Sequence, residues 1–180
     1  PGLMALGVQA LASSDLRRRA HPVLKSLATA SGETATLEVP IEDSMLILDE
    51  VTGRHVVGAV GNVGTRWPLH ATSTGKAVLA YAENGLERLT EPLKALTAKT
   101  LVNKDAFQPE FNGIHRRGYA VTVDELEDGF TAVATVIRGA LGDVQGALSI
   151  GGPTQRLTST RRAELGTSLC KAAASLSPEM

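Results

Sequence analysis

Residues 34–51 read Thr-Ala-Thr-Leu-Glu-Val-Pro-Ile-Glu-Asp-Ser-Met-Leu-Ile-Leu-Asp-Glu-Val. Two β-rich runs, Thr34–Pro40 and Ser44–Val51, flank the acidic pair Glu42-Asp43, a pattern that predicts a hairpin. Outward from it, His55–Val60 reads as a third strand, followed by an irregular loop marked by Gly61, Gly64 and Pro68. Towards the C-terminus, Tyr119–Val123, Phe130–Ile137 and Gln145–Ile150 are further β-rich runs separated by polar or glycine-containing turns. Such short connections favour an antiparallel sheet with helices on its faces.

The helices follow from a different spacing. Leu3, Leu6, Ala10 and Leu11 recur at helical intervals and predict a first helix that stops near Ser13-Ser14-Asp15. A second should start there, carrying Leu16, Ala20, Val23, Leu24 and Leu27 on one face. Pro22 is expected to kink or divide it, and Gly32 to close it in a left-handed conformation. Ser73 or Thr74 is read as the cap of a helix through Tyr81 that ends at Asn84-Gly85. Another runs from Asp105 towards Arg117, with Gly118 as its stop, and a last one from Ser159 to Leu176.

Composition narrows the function. The chain has 180 residues, 43% of them hydrophobic, which suits one domain with a sizeable core. Lys and Arg number 18 against 19 Asp and Glu, a balance that argues against direct contact with nucleic acid, whose affinity comes from neutralised phosphates. The single cysteine, Cys170, excludes an internal disulfide and a Cys-rich zinc site, and suggests a reducing, cytoplasmic setting. No apolar run approaches the roughly 18 residues of a membrane span, and the start lacks a signal-peptide pattern, so a soluble protein is expected. The opening Pro1-Gly2-Leu3-Met4 reads as mid-chain and suggests a fragment.

Residues 70–77, His-Ala-Thr-Ser-Thr-Gly-Lys-Ala, invite comparison with a phosphate-binding loop. The match fails because His70 replaces the first glycine and Ala77 the magnesium-binding hydroxyl. A helix N-terminus survives, with unpaired amides that suit an anionic or polar small molecule. Ser73 with His70 supplies a nucleophile and a base for a hydrolase, yet no serine lies in a nucleophile-elbow pattern, and His70 reads as a structural hydrogen-bonding residue. His21, His55, His70 and His115 lack the spacing of a shared metal. Residues 124–129 pack four carboxylates into six positions and read as a solvated turn in which Gly129 allows an unusual backbone conformation. Trp67 and Tyr119 could line a pocket, although core packing is the commoner role.

Several segments taken together resemble the C-terminal effector-binding domain of the IclR family across nearly the whole chain. They are Ala20–Ala28, Gly32-Glu33-Thr34, Pro68–Ala80, Ile114–Val121, the acidic turn to Gly129, and Leu148–Arg156. The resemblance implies an α+β, GAF-like (profilin-like) fold: a curved antiparallel sheet flanked by helices, with a ligand pocket between its concave face and the helix-starting loop. Residues 1–14 would be an interdomain linker helix and 15–180 the effector-binding domain. An N-terminal winged helix-turn-helix would precede Pro1 and alone contact operator DNA. Family members form dimers, or tetramers built from dimers.

Carried over position by position, the implied lining is Ser73, Thr74, Thr122, Phe130, Ala132, Ser149 and Gly151. Thr122 stands where oxoacid-sensing relatives have an aspartate, Ala132 where they have a cysteine, and Val136 where a proline often follows. The loss of polar groups points to a larger, partly apolar or aromatic organic carboxylate, because an apolar wall rejects very small polar acids. Its acid end would meet the amides near Ser73 and Thr74. No catalytic residue, metal or cofactor is expected. A stand-alone sensor domain and a serine hydrolase are the rival readings, and activator versus repressor stays open.

Overall fold

The computed structural model describes residues 15–55 and 62–177. The expected helix within residues 1–14, and the expected strand from His55 but for its first residue, lie outside these. Helix α1 spans Asp15–Ser31, β1 Thr34–Ile41, β2 Ser44–Val51 and β3 Arg66–Pro68. They are followed by α2, Ser73–Tyr81, α3, Phe107–Arg117, β4, Ala120–Val123, β5, Phe130–Arg138, β6, Val144–Pro153, and α4, Ser159–Leu176. The six strands form one curled antiparallel sheet in the order β3-β2-β1-β6-β5-β4, an α+β architecture.

Each face of the sheet has its own apolar layer. On one side, α1 and α4 bring Ala20, Leu24, Leu27, Leu165, Leu169 and Ala173 against Leu37, Val133, Leu148 and Ile150. On the other, α2 and α3 bring Ala77, Val78, Phe107, Phe111 and Ile114 against Met45, Ala120, Val136 and Ala147. Alternation along β1 sends Ala35 and Leu37 to the α1–α4 layer and Thr34, Thr36 and Glu38 to the opposite face, because successive strand side chains point to opposite faces.

β2 departs from strict alternation. Leu37 pairs with Asp49 and Glu38 with Ile47, so Leu48 is an extra residue, a β-bulge. Leu48 packs with the α1–α4 layer, while neighbouring Asp49 accepts a contact from His21 of α1 at 2.8 Å. Two consecutive side chains thus serve the same side, and Ile47 and Glu50 both serve the other.

Three expectations need correction. Pro22 does not divide α1, which is continuous from 15 to 31. Arg18, whose carbonyl loses its amide partner to the proline ring, is exposed, so water can satisfy that oxygen. Residues 66–68, read as part of an irregular loop, pair with Ser44–Leu46 as the short edge strand β3. The cap of α2 is Thr72, whose Oγ1 accepts the Gly75 amide at 3.0 Å, and the helix ends at Tyr81, before Asn84-Gly85. Gly32 and Gly118 do close α1 and α3, with φ of 76° and 83°.

Candidate functional site

The register of the sheet assembles a polar floor. Thr34 faces Gly151, Gly151 faces Ala132, and Ala132 faces Thr122, one row across β1, β6, β5 and β4. The neighbouring row runs Glu50, Thr36, Ser149. Beyond it Glu38 pairs with Ile47. Directly opposed strand residues share a face, so these rows look into the same space.

That space is a cavity. It is closed by the tip of α2 (Thr72, Ser73, Thr74), by Trp67 of β3, by Phe130 at the start of β5, and by Leu126 and Glu127 of the acidic turn. Its volume is about 60 Å³. All seven residues carried over by resemblance, Ser73, Thr74, Thr122, Phe130, Ala132, Ser149 and Gly151, line it together with Thr36, Glu38, Ile47 and Glu50. Gly151 has a packing reason: a Cβ there would lie 2.7 Å from the Phe130 ring, so a side chain would push the ring away from the floor.

Hydrogen bonds converge on Glu38. Thr36 Oγ1 donates to its Oε1 at 2.8 Å and Thr74 Oγ1 to its Oε2 at 2.7 Å. Thr36 has one hydroxyl hydrogen, so the 2.7 Å contact between Thr36 and Ser149 is donated by Ser149. The Ser149 hydroxyl is therefore engaged in the floor. Glu38 is 6% exposed, and burial pushes its carboxyl above the ordinary glutamate range, with the two threonine hydroxyls opposing that shift. Glu50 is shifted the same way by burial and by the neighbouring Glu38 charge, and its Oε2 is buried without a hydrogen-bond partner among the described residues.

The lysine of the phosphate-loop look-alike has a structural role. Lys76 is 1% exposed, and its Nζ reaches both oxygens of Glu125 at 2.8 and 2.6 Å. The acidic turn is accordingly not simply solvated: Glu125 is buried, and its backbone carbonyl accepts Thr100 Oγ1 at 2.7 Å. Burial raises the Glu125 carboxyl, and Lys76 pulls it back down. Asp124, with φ of 58°, is held low by Lys99 at 2.6 Å. The turn that covers the cavity is thus tied to α2 and to residues 97–100.

His70 does not join Ser73. Its Nε2 contacts the Lys94 carbonyl at 2.9 Å and it is not part of the cavity lining, so the arrangement supplies no nucleophile–base pair. Among the described residues no group of three or more His, Cys, Asp or Glu could hold a metal ion, and no helix is long and apolar enough to cross a membrane. Sequence reasoning missed Glu38, Thr36, Ile47 and Glu50. The hairpin's alternation could have placed Thr36 and Glu38 on one face, but the bulge hides Glu50 from any period-two reading.

The described residues form a mixed sheet-and-helix domain whose sheet and α2 tip border a cavity. The chain belongs to the IclR family of bacterial transcriptional regulators, whose C-terminal domain model matches residues 8–178. The family consists of transcription regulators and not enzymes. The chain is 33% identical to the HTH-type transcriptional regulator BhcR of Paracoccus denitrificans over 91% of its own length and 60% of that protein's. It therefore spans about three fifths of this relative. The crystal structure of the Thermotoga maritima IclR superposes with a TM-score of 0.90 at 27% identity, over 97% of this chain and 72% of that one. A double mutant of the PobR inducer-binding domain from Acinetobacter, in complex with 3-hydroxybenzoic acid, superposes with a TM-score of 0.79 at 25% identity, over 87% and 94%.

Proposed function

We propose that the chain is the effector-sensing and oligomerising part of a DNA-binding transcription regulator, and that the cavity under the α2 tip takes a small, partly apolar organic acid. The observation that carries this reading is the cavity itself: a largely polar floor, which also holds Ile47 and Ala132, and a helix start meet apolar side chains from Trp67, Leu126 and Phe130. The amides of Ser73 and Thr74 occupy the first two helical positions, have no intrahelical acceptor, and favour an acid group. PobR, a structural relative, is known with 3-hydroxybenzoic acid, in keeping with an acid effector. An aromatic acid needs more room than the cavity now encloses, since a benzene-sized void is roughly 150 Å³. Such a ligand requires Phe130 or the Leu126–Glu127 cover to give way. Occupancy would act by binding two subunit arrangements unequally, so that operator contact through a helix-turn-helix domain of the whole protein changes.

Trp67 is the only tryptophan and lines the cavity, which makes its fluorescence a direct reporter. Titration with a panel of organic acids is expected to give a saturable change that Ala132→Phe, which fills the cavity, abolishes. No saturable change for any acid, or an unchanged response in Ala132→Phe, would remove the effector reading.

A further inference from the structure

The lining contains three glutamates, Glu38, Glu50 and Glu127, and among its described residues no lysine, arginine or histidine. A pocket built only for an anion would place cations or donors around it. This one instead places in its floor the buried carboxyl group of Glu38 and the half-buried one of Glu50. Every hydroxyl hydrogen of the Ser149–Thr36–Glu38–Thr74 network points towards Glu38, which makes that carboxylate the terminal acceptor. Two threonines fill one acceptor position on each oxygen, and an ionised carboxylate offers about four. Beside it, Oε2 of Glu50 is shielded from solvent with no donor among the described residues, which is costly unless something supplies one. Because Glu50 lines the cavity, a donor that enters the cavity can supply that partner.

Thr74 fixes how close that donor lies to the acid end. Its backbone amide belongs to the unpaired first turn of α2, while its own hydroxyl donates to Glu38 Oε2 at 2.7 Å. Amide donor and carboxylate acceptor are thus linked through a single residue. A ligand that answers both carries its acid group and a donor close together.

Resting on the effector-site reading above, we propose that Glu38, with Glu50 beside it, is the specificity-determining group of this cavity. The effector is then an organic acid bearing a hydroxyl or ammonium group next to its carboxylate, the pattern of a small hydroxy or amino acid. Glu38 accepts the donor, and a protonated amine is favoured further by the two nearby carboxyls. Simple acids and oxoacids lacking a donor leave the glutamates unanswered and are rejected.

The test compares matched pairs on the 180-residue chain by calorimetry and Trp67 fluorescence: lactate with propionate, alanine with propionate, and mandelate with phenylacetate. The donor-bearing member is expected to bind roughly tenfold tighter or more, the size of one hydrogen bond to a charged group. In Glu38→Gln, which keeps the shape and removes the charge, that ratio should fall to about threefold or less, with a smaller fall in Glu50→Gln. Circular dichroism establishes that both variants fold. Equal binding of paired acids to the wild-type chain, or a preference that survives Glu38→Gln, overturns the role of Glu38 while leaving an effector site in place. Absence of binding by every acid overturns both readings together.

Discussion

Lys76 Nζ stands 2.8 and 2.6 Å from the two carboxylate oxygens of Glu125, and both groups are buried. The pair joins the first turns of α2 to the turn that covers the cavity. Removing one partner of a buried pair leaves the other charge without compensation. Lys76→Met is expected to cost roughly 3–5 kcal/mol in urea unfolding, whereas Lys76→Met with Glu125→Leu recovers most of that loss. A double-mutant cycle with no coupling between the two sites would refute the bond's importance.

Glu38 should make stability depend on pH. Its carboxyl is raised above the ordinary value of 4.5 by burial. Below that value both folded and unfolded chains hold the proton, so there is no penalty; as pH rises the unfolded chain ionises first, and stability falls until the folded group ionises too. Glu38→Gln is therefore expected to melt at a higher temperature than the wild type at pH 7–8, and the gap should close as the pH approaches 4.5. Each kcal/mol recovered corresponds to roughly 2–4 °C in a chain of this size. Thermal melts of both proteins across that range decide the matter, and a gap that widens on acidification would contradict it.

Arg156 clasps Glu33 with two hydrogen bonds, Nε to Oε1 at 2.5 Å and a terminal nitrogen to Oε2 at 2.7 Å. Glu33 is 4% exposed, so the arginine satisfies a carboxylate that water barely reaches. Arg156→Leu should destabilise by roughly 1.5–3 kcal/mol, the range for hydrogen bonds to charged groups. Arg156→Lys should recover only part, because an ammonium lacks the two-pronged geometry. Guanidinium titration of the three proteins gives the comparison.

Gly75 allows α2 to pack directly on the turn before it. A Cβ at this position would lie 2.1 Å from the Leu69 carbonyl oxygen, a backbone atom that cannot swing aside. Gly75→Ala is expected to destabilise by roughly 1–3 kcal/mol despite the better helix propensity of alanine. The same change should alter Trp67 emission, since the α2 tip and Trp67 share the cavity.

Five of the six strands were legible because alternation and turn residues are local signals, whereas the short edge strand β3 was not. The hairpin at 34–51, the strands after Gly118 and the helix Ser159–Leu176 follow directly from them. Helix ends were less so: Thr72, Ser73 and Thr74 can all cap, and only the fold shows that Thr72 takes the Gly75 amide while Thr74 turns to Glu38. The seven lining residues named from the resemblance meet around one cavity, but the acid that dominates it was not among them. Nothing in the run Thr34–Pro40 singles out Glu38, whose partner Thr74 in α2 lies thirty-six residues away. Likewise nothing local in residues 124–129 reveals that Glu125 has a buried lysine partner.

The extra residue in β2 separates two tasks that a regular strand would force to compete. With Leu48 and Asp49 side by side opposite Leu37, one supplies grease and the other an anchor for His21, while Ile47 and Glu50 remain available to the chamber. Changes that retune chemistry inside the chamber can accumulate without loosening the grip on the outer helix, so the hairpin is free to diversify on one side while its opposite side stays fixed.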